Sequence, residues 1–272
     1  MTISPSFTLP DGRLIPQLGL GLWRVSPDET TRLVHAALEL GYRHFDTASF
    51  YENEADLGRA LRESGLAREE YYVTSKLWND RHGDAPAALG ESLERLGLDH
   101  LDLYLIHWPC PNTDRYAETW QQLRDLRDEG LVTSTGVSNF QAEHLRRLVA
   151  ETGEAPVVNQ IELHPTFTQA PLVRLHDELG IATQAWRPLG RGADLEAPTI
   201  REIAERVGRT PAQVTIRWHL QRDRIVFPKT VHTERLAENF AVFDFELSED
   251  DLAAIDALNT DDRQASHPDE MH

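Results

Sequence analysis

Four side chains with the chemistry of proton transfer follow apolar segments in the first half of the sequence. They are Asp46, Tyr51, Lys76 and His107. A phenol with an ordinary pKa of about 10 is a weak proton donor near neutrality unless a neighbouring cation stabilises the phenolate. A lysine ammonium held in place by an aspartate would provide that cation, and an imidazole can donate a hydrogen bond to the oxygen that receives the proton. Together these groups suit the protonation of a carbonyl oxygen as it gains negative charge.

The four side chains can meet only if the elements that carry them share one end of the fold. Eight short apolar runs recur along the chain, and a helical pattern follows each of them. The runs are 18–23, 42–46, 71–76, 101–107, 133–139, 156–160, 181–186 and 224–229. Most are apolar at successive positions, as in parallel strands that are buried on both faces. Eight strand–helix units without a linker predict an α/β protein with a single (β/α)8 TIM barrel that spans residues 1–272.

Two additions to this repeat are expected. The segment FTLPDGRLIP near the N-terminus predicts a β-hairpin with an Asp-Gly turn. The region before the last strand holds two helical segments, 198–207 and 211–221, which is one helix more than the repeat needs. The sequences SPDE (26–29) and TPAQ (210–213) predict capping boxes at helix starts, as does Ser248 with Asp251. An open doubly wound sheet is the alternative fold, but the chain lacks the glycine-rich turn that such a sheet carries after its first strand.

Composition excludes several classes of protein. The net charge of −18 over 272 residues argues against a nucleic-acid binder, which needs a basic face. The single cysteine, Cys110, excludes an intrachain disulfide and a zinc site made of several thiolates. The histidines form no HExxH or comparable set, so no metal is expected. The chain has neither a signal-peptide pattern nor the roughly 20 apolar residues of a membrane span, so we expect a cytoplasmic protein without a membrane partner.

Six motifs in order resemble those of the aldo-keto reductases from about residue 6 to residue 260. They are FDTASFYENE, VTSKLW, LYLIHWP, GVSNF, NQIELHP and FPKTVHTERLAENFAVFDFELS. Among them, the sequence resembles bacterial members of the 2,5-diketo-gluconate reductase type. The resemblance implies reduction of aldehydes or ketones, with hydride passing from the nicotinamide C4 of NADPH to the carbonyl carbon. It also implies that Tyr51 is the proton donor, that Lys76 and Asp46 assist it, and that His107 orients the substrate.

The resemblance also implies a dinucleotide site after the later strands. Its expected members are Ser138, Asn139, Gln160, Trp186, Arg187, Leu189, Lys229, Thr230, Val231, Arg235, Glu238 and Asn239. The first three are expected to bind the nicotinamide carboxamide, and Trp186 to stack on its ring. A helix that starts near Thr233 offers its N-terminus to a phosphate, and the cations Lys229 and Arg235 favour NADPH over NADH.

One position in this set departs from the pattern of the family. Arg187 stands where relatives usually carry serine or glycine next to the cofactor phosphates. An arginine there can either reach the pyrophosphate or crowd it. The sequence leaves both outcomes open.

Four aromatic residues lie just beyond the first four strands, where they predict an apolar wall over the carbonyl site. They are Trp23, Phe50, Trp78 and Trp108. Short segments after the strands predict an open, weakly selective site, and relatives of this length are mostly monomers. We therefore expect a monomer that acts on a small-molecule carbonyl compound.

Two other functions remain as alternatives. The first is an NADP(H)-binding regulatory protein on the same fold, which the intact set of Asp46, Tyr51, Lys76 and His107 argues against. The second is a metal-dependent hydrolase that uses Asp46 and His107, which is remote because no set of metal ligands converges.

Overall fold

Eight parallel strands form one sheet in chain order, and the sheet closes on itself. The computed structural model describes residues 3–272. The sheet consists of β3 (Leu20–Gly21), β4 (His44–Asp46), β5 (Tyr72–Leu77), β6 (Leu101–Ile106), β7 (Val132–Ser138), β8 (Val158–Glu162), β9 (Ala182–Trp186) and β10 (Ile225–Val226). Leu18 pairs with Val226 in a parallel bridge, and the Gly19 N–H donates to the Val226 carbonyl at 2.8 Å. The predicted (β/α)8 barrel is confirmed.

The barrel can close here because glycine occupies the contact between its first and last strands. A Cβ atom added to Gly21 would lie 2.8 Å from the carbonyl oxygen of Phe227, and one added to Gly19 would lie 2.9 Å from that of His44. Both distances are shorter than a carbon atom tolerates. The GLGL segment therefore serves strand packing, which explains why it lacks the features of a phosphate-binding turn.

Helices surround the barrel and cover its strands. They are α1 (Pro27–Leu40), α2 (Glu54–Glu63), α3 (Ala85–Leu96), α4 (Tyr116–Asp128), α5 (Ala142–Thr152), α6 (Ala170–Leu179), α7 (Pro198–Val207), α8 (Pro211–Gln221), α9 (Thr233–Phe240) and α10 (Glu249–Asp256). The helices α7 and α8 both precede β10, so the predicted extra helix is present with the expected bounds. In residues 3–272 no helix combines the length and the apolarity that crossing a membrane requires.

The predicted N-terminal hairpin consists of β1 (Ser6–Thr8) and β2 (Leu14–Pro16), which pair antiparallel. It buries Leu9 and Ile15 in a cluster with Tyr72, Leu103 and other residues of the barrel interior. The hairpin therefore closes the N-terminal end of the barrel. The cavity described below lies at the opposite end, where the strands finish.

Helix starts agree with the capping sequences, although one cap works differently from the prediction. The Thr210 hydroxyl accepts the Gln213 N–H at 3.3 Å, and Ser248 accepts the Asp251 N–H at 3.2 Å, as expected for capping boxes. At α1 the prediction is wrong, because the Ser26 hydroxyl donates to the Glu29 carboxylate at 2.7 Å and accepts no backbone N–H. The helix still begins at Pro27, whose fixed φ favours the first helical position.

Candidate active site

The four predicted proton-handling residues meet at the end of the barrel where the strands finish. Asp46 ends β4, Lys76 lies one residue before the end of β5, and His107 directly follows β6. Tyr51 ends a 3₁₀ turn, Ser49–Tyr51, between β4 and α2. Asp46, Tyr51 and His107 line a cavity of about 570 Å³, and Lys76 lies behind them with no exposed surface.

Lys76 and Asp46 form a buried ion pair. The Lys76 Nζ donates to Asp46 Oδ1 at 2.7 Å and to the Thr47 carbonyl at 2.7 Å. The other carboxylate oxygen of Asp46 accepts from Gln160 Nε2 at 2.8 Å. Burial raises the pKa of Asp46 and lowers the pKa of Lys76, while the attraction between the two charges opposes both shifts. The pair is therefore held in one geometry by hydrogen bonds from three strands and a loop.

Tyr51 lies next to this pair, with the Lys76 Nζ 4.9 Å from the centroid of its ring. Burial, with a smaller effect of the Asp46 charge, raises the pKa of Tyr51 well above 10. The sequence-based expectation that the ammonium lowers this pKa is wrong, because burial disfavours a phenolate and the neighbouring Asp46 carboxylate adds to that effect. The phenol therefore keeps its proton at neutral pH.

The His107 ring lies edge-on to the Tyr51 ring at the wall of the cavity, with the two ring centroids 5.7 Å apart. Burial and the nearby charge of Lys76 lower the pKa of His107 well below 6.5. Its Nδ1 atom is buried and has no hydrogen-bond partner among residues 3–272. The imidazole is therefore neutral at neutral pH, and it can donate one hydrogen bond without a proton changing hands.

The four predicted aromatic residues all line the same cavity, and three of them form a continuous wall. The rings of Phe50 and Trp78 stack with centroids 3.7 Å apart, and Trp23 lies 5.8 Å from Phe50 in a nearly parallel orientation. Trp78 also contacts the His107 ring edge-on at 5.0 Å. Trp23 and Phe50 remain 36% and 44% exposed, so this wall is open to an incoming molecule.

The residues expected near the nicotinamide line the cavity opposite Tyr51. Trp186 Nε1 donates to Asn139 Oδ1 at 2.9 Å, and the Ser138 hydroxyl donates to the Gln160 carbonyl at 2.9 Å. Asn139 also donates through Nδ2 to the His107 carbonyl at 3.0 Å. These hydrogen bonds join strands β6 to β9 at their ends and fix the direction of each side chain. Ser138, Asn139, Gln160 and Trp186 are thus brought together with the proton-handling group.

A second cavity of about 430 Å³ adjoins the first and is lined by cations. They are Arg24, Arg187, Arg191, Lys229 and Arg235. Within the described part of the chain, no aspartate or glutamate lines this cavity, although the whole chain carries a net charge of −18. We call this cavity the basic groove. Such a concentration of positive charge in an acidic protein suits a ligand with several phosphate groups.

The expected dinucleotide residues divide into two sets in this region. Leu189, Lys229 and Arg235 line the basic groove. The remaining four, Thr230, Val231, Glu238 and Asn239, line neither cavity. Two of them have partners within the fold, since the Thr230 hydroxyl accepts the His232 N–H at 3.0 Å and Glu238 accepts from the Thr210 hydroxyl at 2.6 Å.

Arg187 lines both cavities and faces the C-terminal segment. Its Nη1 donates to the Gln264 carbonyl at 3.1 Å, and its guanidinium lies 5.0 Å from the centre of the Trp186 ring. A left-handed backbone at this position, with φ of +54°, turns the chain immediately after β9. The guanidinium therefore borders the basic groove while its hydrogen bond is made to the C-terminal segment.

Sequence reasoning missed part of the lining of both cavities. Gln264, Ala265, Ser266 and Met271 from the C-terminal segment border the first cavity. Arg24 and Arg191 were missed as groove residues, although basic residues in loops after strands are a usable signal in an acidic chain. The position of the C-terminal segment had no local signal, because long-range contacts such as Gln264 N–H to Glu162 Oε1 at 2.8 Å determine it. Among residues 3–272, no cluster of three or more histidine, cysteine or acidic side chains is arranged to hold a metal ion.

Comparisons with known proteins agree with this architecture. The sequence profile of the aldo/keto reductase family matches residues 17–260. The chain is similar to an aldo-keto reductase of Mycolicibacterium smegmatis, with 53% identity over 98% of each sequence, and to methylglyoxal reductase DkgA of Salmonella typhimurium, with 48% identity over 97% of this chain and 96% of the relative. Among solved structures, apo Gox0644 superposes with a TM-score of 0.96 at 46% identity over all of both chains. A point mutant of Gox0644 in complex with NADPH superposes with a TM-score of 0.95 at 47% identity, again over all of both chains.

Proposed function

This chain belongs to the aldo/keto reductase family, and we propose that it reduces small aldehydes or ketones to alcohols at the group formed by Asp46, Tyr51, Lys76 and His107. Family membership makes it an NADP-dependent oxidoreductase, of the type of the bacterial 2,5-diketo-gluconate reductases. The observation that carries the proposal is the buried Lys76–Asp46 pair at 2.7 Å beside the phenol of Tyr51 and the imidazole of His107, which line one cavity.

The two adjoining cavities fit a dinucleotide such as NADPH. The five cations of the basic groove would hold its phosphates, with Lys229 and Arg235 assigned to the 2′-phosphate. Ser138, Asn139 and Gln160 would bind the nicotinamide carboxamide, and Trp186 would lie against the ring. When bound, the cofactor supplies the hydride that reduces the carbonyl carbon.

Tyr51 would act as the general acid of this reaction. Its high pKa makes the phenol a weak acid toward water, but an alkoxide that forms on the substrate is a stronger base than a phenolate and takes the proton. Lys76, 4.9 Å from the ring, stabilises the phenolate that remains, and Asp46 keeps the ammonium in place. His107 remains neutral and donates a hydrogen bond to the carbonyl oxygen, which orients the substrate.

The aromatic wall favours small carbonyl compounds with an apolar side. The face formed by Trp23, Phe50 and Trp78 offers dispersion contacts and no charge. Because relatives at about half identity are named methylglyoxal reductases, methylglyoxal is the first substrate to test. All groups of the site come from one chain, so we propose that the monomer is sufficient for activity.

The proposal is tested by following the loss of NADPH absorbance with a panel of carbonyl compounds. The panel contains methylglyoxal, a small sugar-derived aldehyde and an aromatic aldehyde, and NADH replaces NADPH in a parallel series. We expect turnover with NADPH that exceeds turnover with NADH. A chain that binds NADPH, as monitored by fluorescence, but reduces none of the panel would instead support the regulatory alternative.

A further inference from the structure

Glu162 is a buried carboxylate that the proposed reaction does not use. It ends β8 with 1% of its surface exposed. One of its oxygens, Oε1, accepts the Gln264 N–H at 2.8 Å, whereas Oε2 has no hydrogen-bond partner among residues 3–272. A buried carboxylate with an unsatisfied oxygen is costly, and it strongly favours any arrangement that brings a cation close to it.

The histidine beside Glu162 does not fully supply that cation, because a second acid shares it. His164 Nε2 lies 3.4 Å from Glu162 Oε1, while its Nδ1 lies closer to Asp194 Oδ2, at 2.9 Å. Burial opposes a charge on this ring, yet hydrogen bonds to Asp194 and Glu162 raise the pKa of His164. One imidazole thus lies between two carboxylates and is closer to Asp194, so Glu162 has only a long contact with this ring.

Arg187 is a cation that lies close to Glu162. Its Nη1 atom lies 3.9 Å from Glu162 Oε1 and donates to the Gln264 carbonyl at 3.1 Å. The backbone of Gln264 is therefore held at two points, by Glu162 at its N–H and by Arg187 at its carbonyl. The same arginine lines the basic groove, where phosphate groups would be equally good partners for its guanidinium.

We propose that Glu162 is a positioning residue that draws Arg187 toward the C-terminal segment and away from the basic groove. The dinucleotide phosphates and the carbonyl of Gln264 then compete for one guanidinium. Cofactor binding loosens residues 264–266, which border the substrate cavity, and closure of this segment weakens cofactor binding. The inference rests on the proposed function only in taking the groove as a dinucleotide site.

A double-mutant cycle of Glu162→Gln and Arg187→Ser tests this competition. Glutamine keeps the volume and the oxygen that accepts the Gln264 N–H, while it removes the charge and replaces the unpartnered oxygen by an NH2 group. The readout is the dissociation constant of NADPH, measured by fluorescence titration without a carbonyl substrate. For Glu162→Gln we expect NADPH to bind about 3- to 10-fold more tightly, because Arg187 is released to the phosphates.

The effect of Glu162→Gln in a protein that already lacks Arg187 decides whether Glu162 acts through Arg187. In the Arg187→Ser protein, the additional Glu162→Gln change is expected to leave the NADPH dissociation constant unchanged, because the residue through which Glu162 acts is absent. A change of equal size in both backgrounds, or none in either, overturns the proposal. A purely structural role of Glu162 would weaken binding in both backgrounds alike.

A second measurement uses the wild-type protein and does not depend on whether the variants fold. In a crystal structure with NADP⁺, we expect the Arg187 guanidinium to contact a phosphate oxygen and to have left the Gln264 carbonyl. An arginine that still binds Gln264 and no phosphate overturns the proposal. Neither experiment requires turnover, so a chain that shows the coupling but reduces no carbonyl would contradict only the proposed function.

Discussion

The catalytic sector and the basic groove, which adjoin at the end of the barrel where the strands finish, differ in how far their charged side chains are buried. In the catalytic sector, formed by Asp46, Tyr51, Lys76 and His107, every charge is buried and Lys76 has no exposed surface. In the basic groove, Arg24, Arg191, Lys229 and Arg235 are exposed. Chemistry needs groups with shifted pKa values in fixed positions, whereas phosphate binding needs only net positive charge within reach. We therefore expect changes in the first region to affect turnover and changes in the second to affect affinity.

The largest expected effect tests the catalytic sector directly. Tyr51→Phe removes the proton donor but keeps the ring against Trp23, so turnover should fall about 10³-fold. NADPH affinity should change by less than about twofold, since the hydroxyl lies outside the basic groove. Steady-state kinetics and a fluorescence titration give the two numbers. Tyr116→Phe, which removes a hydroxyl on α4 away from the cavity, is the matched control. Wild-type turnover in Tyr51→Phe would contradict the assigned role.

The ion pair provides the next test, because it combines structure and chemistry. Lys76→Met leaves Asp46 as an unpaired buried charge, which should cost about 3–5 kcal/mol in the free energy of unfolding measured with urea. Turnover should also be lost. The double variant Lys76→Met/Asp46→Asn removes both charges, so we expect it to recover most of the stability and none of the activity. If the double variant regained turnover, the ammonium would not be needed for catalysis.

The contrast between the regions also explains what the sequence could predict. Asp46, Lys76 and His107 each lie at the end of a strand, and their proximity follows from the geometry of a parallel barrel. The helices 198–207 and 211–221 were predicted with their observed bounds, because proline and capping residues mark their starts. These signals are local, so they can be read from the sequence of each segment alone.

The remaining features depend on contacts between distant residues. The approach of Gln264 to Glu162 and Arg187 joins segments about a hundred and about eighty residues apart, and no spacing in the sequence encodes it. The shift of the Tyr51 pKa was predicted in the wrong direction, because the sequence gives the neighbours of a group but not its burial. Ser26 was predicted to cap a backbone N–H, but its hydroxyl donates to the Glu29 carboxylate instead, and the sequence does not determine that choice of partner.

The basic groove is expected to respond more weakly and only in affinity. Arg235→Ala removes one exposed cation assigned to the 2′-phosphate, so the dissociation constant of NADPH should rise about tenfold while that of NADH changes little. Turnover at saturating NADPH should remain. Arg146→Ala, an exposed arginine on α5, controls for the loss of one charge from the surface. A fall in turnover at saturating NADPH would show that a residue of the basic groove also affects the chemical step.

The aromatic wall shares a feature with each region, since its rings pack against one another and yet remain partly exposed. Phe50→Leu removes the ring that stacks on Trp78 at 3.7 Å, so the KM for an aromatic aldehyde should rise about 3- to 10-fold, with a smaller effect on methylglyoxal. Because Phe50 is 44% exposed, the free energy of unfolding should change by less than about 1 kcal/mol. Phe243→Leu, outside the cavity, is the matched substitution. Equal effects on both substrates would argue against ring contact as the cause.

The smallest expected effect is that of pH on turnover, and it concerns the buried groups of the catalytic sector. Burial and Lys76 hold the pKa of His107 well below 6.5, so the imidazole is neutral throughout the range from about pH 6 to about pH 9. Burial holds the pKa of Tyr51 well above 10, so the proton donor stays protonated over the same range. Turnover at saturating NADPH should therefore vary by less than about twofold, and a decline is expected only as pH rises through the pKa of Tyr51. A decline in turnover near neutral pH that disappears in His107→Gln would mean that His107 titrates during the reaction. The assignment of a neutral imidazole to His107 would then be wrong.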